Sequence, residues 1–369
     1  MPSVWAGELF HRIAVPRLPG TAALGPVEDA IAERLEAIGF DVERAAFQAS
    51  PRPLVAGSIA GAALGWVALG LAPLLVISVP GWPVAVIGVA ALAFVALLVQ
   101  GVASGHLSVA GGEVPAVNLV ATRGAPALWL LAHSDSKSQR VSLRGRVLAT
   151  VTLGLGTAGL VALLGWRLVG PLPWWVVLPA VALSVGGGAV LSLGAPRNGS
   201  PGAVDNATGV VAALVAAEIL AGRADVGVLV TGAEEFGMAG ARAWVEGGAP
   251  GGVFVNFDGV DGRGAYRLTA HRARGAAAGS LTDGDVRSAL TDAFAAADAG
   301  VARGNLPIGT FVDGMVLGRA GMSGVTVSRG DWHTLGVVHT ARDSADRVDL
   351  TAAIEAGEVT AAAVRRLLG

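Results

Sequence analysis

No Asp, Glu, Lys or Arg occurs from Pro53 to Gly112, and a second such stretch, from Val147 to Pro196, contains only Arg167. Each is long enough for two bilayer-crossing helices of about 20 residues. Four spans are read: Leu54 to Val79, Pro83 to Ser104, Val147 to Val169, and Trp174 to Leu193. Short PGWP and GPLP turns join them into two hairpins, 53–104 and 147–193. Buried core helices also give apolar runs, but rarely ones so long or so free of charge. Pro73 lies inside the first span, where a bilayer helix tolerates a kink. An even number of spans in each hairpin returns the chain to the same side. The three polar pieces, 1–52, 105–146 and 194–369, can then assemble into one domain on the order of 270 residues.

Hydrophobic residues make up 53% of the 369 residues and charged residues 15%, against about 25% charged in soluble domains. The deficit sits in the two hairpins. Arg52, Arg144, Arg146 and Arg197 flank the spans on the side of the polar pieces, and Arg167 alone lies near the opposite side. The positive-inside rule then puts the polar pieces in the cytoplasm of a four-span membrane protein. The first fifty residues carry several charges and no apolar core shaped like a cleavable signal. The chain has no cysteine, which excludes disulfides and thiolate ligands. A net charge of −2 gives no footprint for nucleic-acid binding.

In the polar pieces, helical and strand patterns alternate. VEDAIAERLEAIG places Ile31, Leu35 and Ile38 on one helix face, Gly39 stops that helix, and the strand FDVERAAF follows. AVNLVAT and ALWLLA are expected as neighbouring strands across the Arg-Gly-Ala-Pro turn. Helices are expected over Ala207 to Leu220, Met238 to Val245 and Leu350 to Leu368, and strands over Val226 to Thr231, Val253 to Phe257 and Val325 to Ser328. The Ala/Gly-rich region 263–304 has room for a helix at 286–297. This alternation predicts an α/β fold, a mixed but mostly parallel sheet flanked by helices.

Chemistry concentrates in a few segments: LLAHSDS around His133, AVDNATG around Asp205, TGAEEFG around Glu234 and Glu235, VNFDGV around Asp258, and VVHTARD around His339. Three of them follow strand-like runs, where open α/β sheets bind ligands. Taken alone, Asp205 fits a helix N-cap; Asn206 can supply the cap instead and leave Asp205 to bridge cations. Glu234 and Glu235 are adjacent acids between apolar and small residues, so a cation is needed or one of them holds a proton. A buried Asp258 after VFVNF is costly without a partner. His133 and Asp135, two apart in an extended segment, face the same way, so Asp135 can orient His133 from behind. Asp313, in TFVDG, either lines the site or is an exposed loop carboxylate. His, Asp and Glu together are a ligand mix that suits zinc.

Together these segments resemble the co-catalytic zinc aminopeptidase family, which includes glutamate-carboxypeptidase-like proteins and glutaminyl cyclases. PRLPGT and the helix ending LEAIGFDV resemble its N-terminal segment, and HSDSKSQ its first-ligand motif. GAVDNATG, TGAEEFGMAG, VNFDGV and VVHTARDSADRVD resemble the bridging-aspartate, double-glutamate, next-ligand and last-ligand motifs. The resemblance implies a zinc-exopeptidase-like fold and two zinc ions, one held by His133 and Asp258 and one by Glu235 and His339. It implies Asp205 as the bridge, Glu234 as the general base and Asp135 as the partner behind His133. Both hairpins interrupt the peptidase-like sequence, the second between the first-ligand and bridging-aspartate motifs.

Three functions compete on this reading. The leading one is a membrane-anchored metallo-exopeptidase that removes N-terminal residues from peptides or small amides. A glutaminyl-cyclase-like acyltransferase with one zinc shares the HSDSK-type motif, whereas Asn206 after the bridging Asp favours the two-metal hydrolase. A non-catalytic membrane scaffold is the third, which the loss of a ligand or of the base would support; all six positions are filled.

Overall fold

The computed structural model describes residues 2–104, 106–107, 112–248, 251–273, 281–302, 304–307 and 309–369. Eight strands form one sheet: β1 (Asp41–Ala49), β2 (Val114–Thr122), β3 (Leu128–His133), β4 (Val226–Thr231), β5 (Val253–Val260), β6 (Ala265–His271), β7 (Val301–Ala302) and β8 (Ser323–Gly330), in the order β1-β2-β4-β3-β5-β8-β6-β7. The middle strands β4, β3, β5 and β8 are parallel. On one side β2 and β1 continue antiparallel, and on the other β6 is antiparallel to β8. Every residue of β3 and of β4 is buried, as continuous apolar runs covered on both faces require. β1, at the edge, is largely exposed.

The expected pairing of AVNLVAT with ALWLLA is not formed. β4 lies between β2 and β3 and pairs with both. LWLLAH is apolar up to its last residue and takes the doubly covered interior beside the equally apolar VGVLVT. The β2 strand, with Pro115 and Asn118, lies one position nearer the edge, and the intervening turn links strands rather than making a hairpin.

The helices are α1 (Pro2–Ile13), α2 (Leu24–Ala37), α3 (Arg52–Val76), α4 (Gly81–Ala103), α5 (Leu143–Trp166), α6 (Trp174–Ser192), α7 (Thr208–Ile219), α8 (Ala239–Glu246), α9 (Asp283–Ala296), α10 (Asp313–Arg319) and α11 (Thr351–Leu368). α7 is buried along nearly its whole length between the sheet and α11. It anchors the main core with Phe10, Ile31, Leu35, Phe257 and Phe294. α8 and α10 cover the opposite face over Trp129, Trp244 and Phe254.

α3, α4, α5 and α6 have 25, 23, 24 and 19 residues and are long and apolar enough to cross a membrane; at about 1.5 Å per residue they span roughly 28–38 Å. Their outward side chains are large and apolar: Trp66, Phe94, Leu97 and Leu155 are 62–73% exposed. α6 packs against α3 and α5 by close backbone approach. A Cβ on Gly188 would lie 2.3 Å from the Gly61 carbonyl oxygen, so only glycine permits that crossing. Arg167 is buried at the far end, where its guanidinium donates to the carbonyls of Leu74, Ile77 and Val79. These acceptors close the C-terminal end of α3.

Candidate metal centre

The polar cluster forms beyond the C-terminal ends of β3, β4 and β5, which deliver His133, the Glu234–Glu235 pair and Asp258 to one sheet edge. The loop before α7 brings Asp205, and the loop after β8 brings His339. His133 Nε2 lies 3.1 Å from Asp205 Oδ1, and His339 Nε2 lies 3.0 Å from Asp205 Oδ2. Asp205 thus turns one oxygen toward each histidine. His339 Nε2 is also 3.5 Å from Glu235 Oε1. Two groups of potential ligand atoms result, His133/Asp205/Asp258 and Asp205/Glu235/His339, each with all its atoms within 4.8 Å of one another. The five residues expected from the sequence as ligands therefore lie together.

The backbone is bent to achieve this. Among the described residues, four non-glycine residues have φ in the left-handed region, and three of them, Ala233, Met238 and His339, are at the site. Such conformations cost energy and collect where geometry is imposed by function. The turn after β4 is held by Asn118, which accepts from Gly232 N at 3.0 Å and donates to Gly240 O at 2.8 Å.

Asp135 is fully buried. Its two carboxylate oxygens accept from Glu234 N and Glu235 N, each at 3.0 Å, while Oδ1 lies 3.5 Å from His133 Nδ1. The one carboxylate therefore stands behind the histidine and also fixes both glutamates. Asn206 does not cap α7, nor does Asp205. Instead Asn206 Nδ2 donates to Phe257 O at 2.9 Å and Oδ1 accepts from Gly259 N at 3.2 Å, tying the Asp205 loop to both sides of Asp258. A Cβ on Gly209 would lie 2.0 Å from Asn206 Oδ1, so glycine leaves room for this clamp.

Three buried residues that sequence reasoning did not single out complete the support. Arg17, in PRLPGT, donates to the carbonyls of Val15, Ser134, Pro201 and Gly202. It stitches the loop after His133 to the loop before Asp205. Asp343, in the last motif, accepts from Val204 N at 2.8 Å and from Asp205 N at 3.2 Å. Lys137, in the first motif, pairs through Nζ with Glu235. All three lie inside the segments of family resemblance, which was the available signal. Asp313 is buried rather than exposed: Thr231 Oγ1 donates to its Oδ2, and its Oδ1 has no hydrogen-bond partner among the described residues.

The charges are strongly unequal. Burial pushes the Glu234 carboxyl well above the usual range, reinforced by the charges of Glu235, Asp313 and Asp258 and opposed by His133. Burial also acts upward on Glu235, but Lys137 and His339 outweigh it and bring Glu235 down to about 2. Asp258 is pushed up to about 7 by burial and by its acidic neighbours. Burial lowers Arg17 to about 10 against nearby carboxylates, leaving it a cation at neutral pH. Burial acts downward on His133, but hydrogen bonds to Asp135 and Asp205 carry it well above its ordinary value. Protein groups alone thus leave the site crowded with carboxylates competing for few cations. Its two N/O donor sets fit a pair of divalent cations.

A cavity of about 690 Å³ opens over the cluster. Asp205, Glu234, Glu235, Asp258 and His339 line it. Its walls include Arg267 and Arg329 from the sheet and Leu54 and Thr150 from α3 and α5.

Residues 184–364 match the model of Peptidase family M28. That segment contains every cluster residue except His133, which the second hairpin separates from the rest. No curated protein matches the chain in sequence. Solved structures match in fold. BSAP, a zinc aminopeptidase from Bacillus subtilis, is 14% identical with a TM-score of 0.55, over 98% of this chain and 94% of that one. The aminopeptidase from Aneurinibacillus sp. strain AM-1 is 12% identical with a TM-score of 0.55, over 98% and 92%. The glutaminyl cyclase of Porphyromonas gingivalis is 15% identical with a TM-score of 0.54, over 98% and 96%. Residues 184–364 are thus similar to Peptidase family M28, and the mixed α/β sheet is the fold that these solved structures share.

Proposed function

We propose that the protein is a membrane-anchored, zinc-dependent exopeptidase that removes N-terminal residues from peptides or small amides. The observation that carries this reading is the pair of three-residue ligand groups joined through Asp205, with Glu234 unassigned to either and facing the same cavity. His133 and Asp258 would hold one zinc, Glu235 and His339 the other, and Asp205 both. Zinc bound there supplies Lewis acidity, which polarises a carbonyl and makes a water molecule a stronger acid.

The chain's own residues do the rest. Among the described residues Glu234 has no hydrogen-bonded cation partner, and it faces the cavity beside both ligand groups, where a carboxylate can take a proton from water and release it. The water oxygen bonds to the amide carbon, the carbon–nitrogen bond breaks, and Glu234 delivers the water's proton to the departing amine. Asp135 keeps His133 and both glutamates oriented, and Asp343 holds the backbone of Asp205.

Membrane anchoring rests on the length, apolarity and outward side chains of α3 to α6. All eight strands come from 1–52, 105–146 and 194–369, and the hairpins 53–104 and 147–193 contribute none, which favours one peptidase domain carrying two membrane hairpins. By the positive-inside rule, the flanking arginines favour a cytoplasmic side for that domain.

The test is metal analysis of the purified protein together with a screen of aminoacyl amides, N-blocked peptides and N-terminal glutaminyl peptides. Two zincs per chain and hydrolysis that needs a free amine are expected. Cleavage of N-blocked substrates points to a carboxypeptidase, and ring closure of glutaminyl peptides to a cyclase; either outcome replaces the aminopeptidase reading.

A further inference from the structure

The wall of the cavity is not confined to the sheet edge. Leu54 and Ser58, in the first turns of α3, line it together with Thr150, in the second turn of α5, and Leu191, at the end of α6. These positions share one end of the helical bundle. From Leu143 to Thr150, both on the wall, α5 advances seven residues, or about 10 Å. Thr150 lies one turn beyond Arg146, the last charged residue before the apolar run. In the membrane-anchored reading the cavity therefore passes below the arginine level and reaches the edge of the hydrocarbon.

The site is also fastened to these helix ends. His339 O accepts from Gln139 N at 2.9 Å, and Gln139 Oε1 accepts from Arg146 at 2.6 Å. Ideal Cβ atoms on Gly237 and Gly309 would lie 3.0 Å from Pro53 Cβ and 3.5 Å from Thr150 Oγ1, so the glutamate turn touches α3 and the 309 loop touches α5. Two large side chains on the cavity wall, Phe311 and Trp332, are 64% and 50% exposed. The Arg144 guanidinium lies 6.0 Å from the Trp332 ring. Aromatic and arginine side chains so placed are the usual occupants of a membrane–water interface.

From this geometry we infer that the substrate is a membrane-associated polypeptide. Its free amino end enters the part of the cavity lined by Glu234 and Glu235, and the apolar residues that follow leave along α3 and α5 into the bilayer surface. This rests on the exopeptidase and membrane readings above. The exopeptidase reading supplies a polypeptide rather than a lipid as the occupant, and Leu54, Leu191 and Phe311 on the cavity wall complement its apolar residues.

The chain has no cysteine, so an introduced one is the sole thiol. Thr150→Cys and Ser58→Cys place it in the cavity, and Leu155→Cys places it on the outward face as a control. Each variant, as the full chain in phospholipid vesicles without zinc, is labelled by a maleimide with and without a competitor. One competitor peptide carries an apolar C-terminal anchor, and another of the same N-terminal sequence is soluble. The anchored peptide should slow labelling at Thr150→Cys and Ser58→Cys by about tenfold, at a concentration where the soluble peptide has no effect, and leave Leu155→Cys unchanged. Equal protection by both peptides, protection by neither, or labelling already blocked by lipid alone would overturn the inference. Hydrolysis of a small aminoacyl amide by the zinc-loaded parent is measured alongside. If that fails while protection holds, the exopeptidase reading falls and membrane-side entry stands; if hydrolysis holds without selective protection, membrane-side entry falls alone.

Discussion

Asp135→Asn tests the site through a residue assigned to neither zinc. Asp135 is completely buried, and its oxygens accept from Glu234 N and Glu235 N at 3.0 Å each, with His133 Nδ1 3.5 Å from Oδ1. Asparagine keeps the shape and one acceptor. Its NH₂ group then faces a backbone N–H that it cannot satisfy, and the negative charge behind His133 is gone. Losing one charge-assisted hydrogen bond of this kind costs about 1.5–3 kcal/mol. Losing the partner behind a metal-binding histidine typically weakens affinity by about 10–100-fold, and at about 1.4 kcal/mol per tenfold the two estimates agree. Zinc affinity should therefore fall by about 10–100-fold at both positions, because the same carboxylate supports His133 of one group and the backbone of Glu235 in the other. The assay is competition with a fluorescent zinc chelator on detergent-solubilised protein, with a melting curve to show that the variant is folded. A folded variant whose affinity stays within about twofold of the parent refutes the reasoning.

Glu234→Gln should retain zinc and lose about 10²–10⁴-fold in turnover, whereas Glu235→Gln should lower zinc occupancy; a Glu234→Gln protein with most of its activity removes the general-base assignment. Arg17→Met strands the carbonyls of Ser134, Pro201 and Gly202, at about 1–3 kcal/mol for each buried group left unsatisfied, and a melting temperature equal to the parent's counts against the stitching role. Asp313 has its carboxyl raised from 3.8 to about 6 by burial, so the folded protein binds this proton more tightly than the unfolded chain. Its contribution to stability is complete below about pH 3.8 and is lost as pH rises through about 6; Asp313→Asn should remove that decline, as melting curves from pH 4 to pH 8 will show. Protease added to sealed vesicles of known orientation should reach 194–369 only from the cytoplasmic face, and cleavage only from the other face reverses the orientation.

The sequence displayed the strands and helices whose local patterns agree with their surroundings. LWLLAH and VGVLVT are uniformly apolar because both faces are covered, and VEDAIAERLEAIG has one apolar face because only one is. It did not display β6, whose residues Ala265 to His271 mix arginine and threonine with apolar positions because the strand lies next to the short β7 near an edge. Strand order was illegible for a different reason: nothing local in AVNLVAT says that β4 will come between it and β3. The ligand candidates were legible because carboxylates and histidines stand out after apolar runs. Arg17, Asp343 and Lys137 were not, because what they do is satisfy backbone groups or a distant carboxylate across long sequence separations. Asn206 was read as a possible cap from its position before a helix, and its actual partners, Phe257 and Gly259, lie about fifty positions away.

The two hairpins can interrupt such a site without dismantling it because each leaves and re-enters at a paired point of backbone. β1 ends at Ala49 opposite Val114, where β2 begins, so the first excursion starts and finishes on one ladder. The second is closed by an isolated bridge, with Ser138 N donating to Arg197 O at 2.7 Å and Arg197 N to Ser138 O at 2.8 Å. Once a loop's ends are fixed, its length matters little, about 0.6 kcal/mol for each doubling. The loop carrying Asp205 therefore folds against the His133 loop whether a short turn or a long helical hairpin lies between them. The same closure has a functional consequence. The second neck lies one residue after Lys137, which holds Glu235, so the helices cannot stand away from the site on a flexible tether. Tilting α5 or α6 relative to the sheet would pull on Lys137 and on the Gln139–His339 hydrogen bond together, which makes the ligand geometry answerable to how those helices are held.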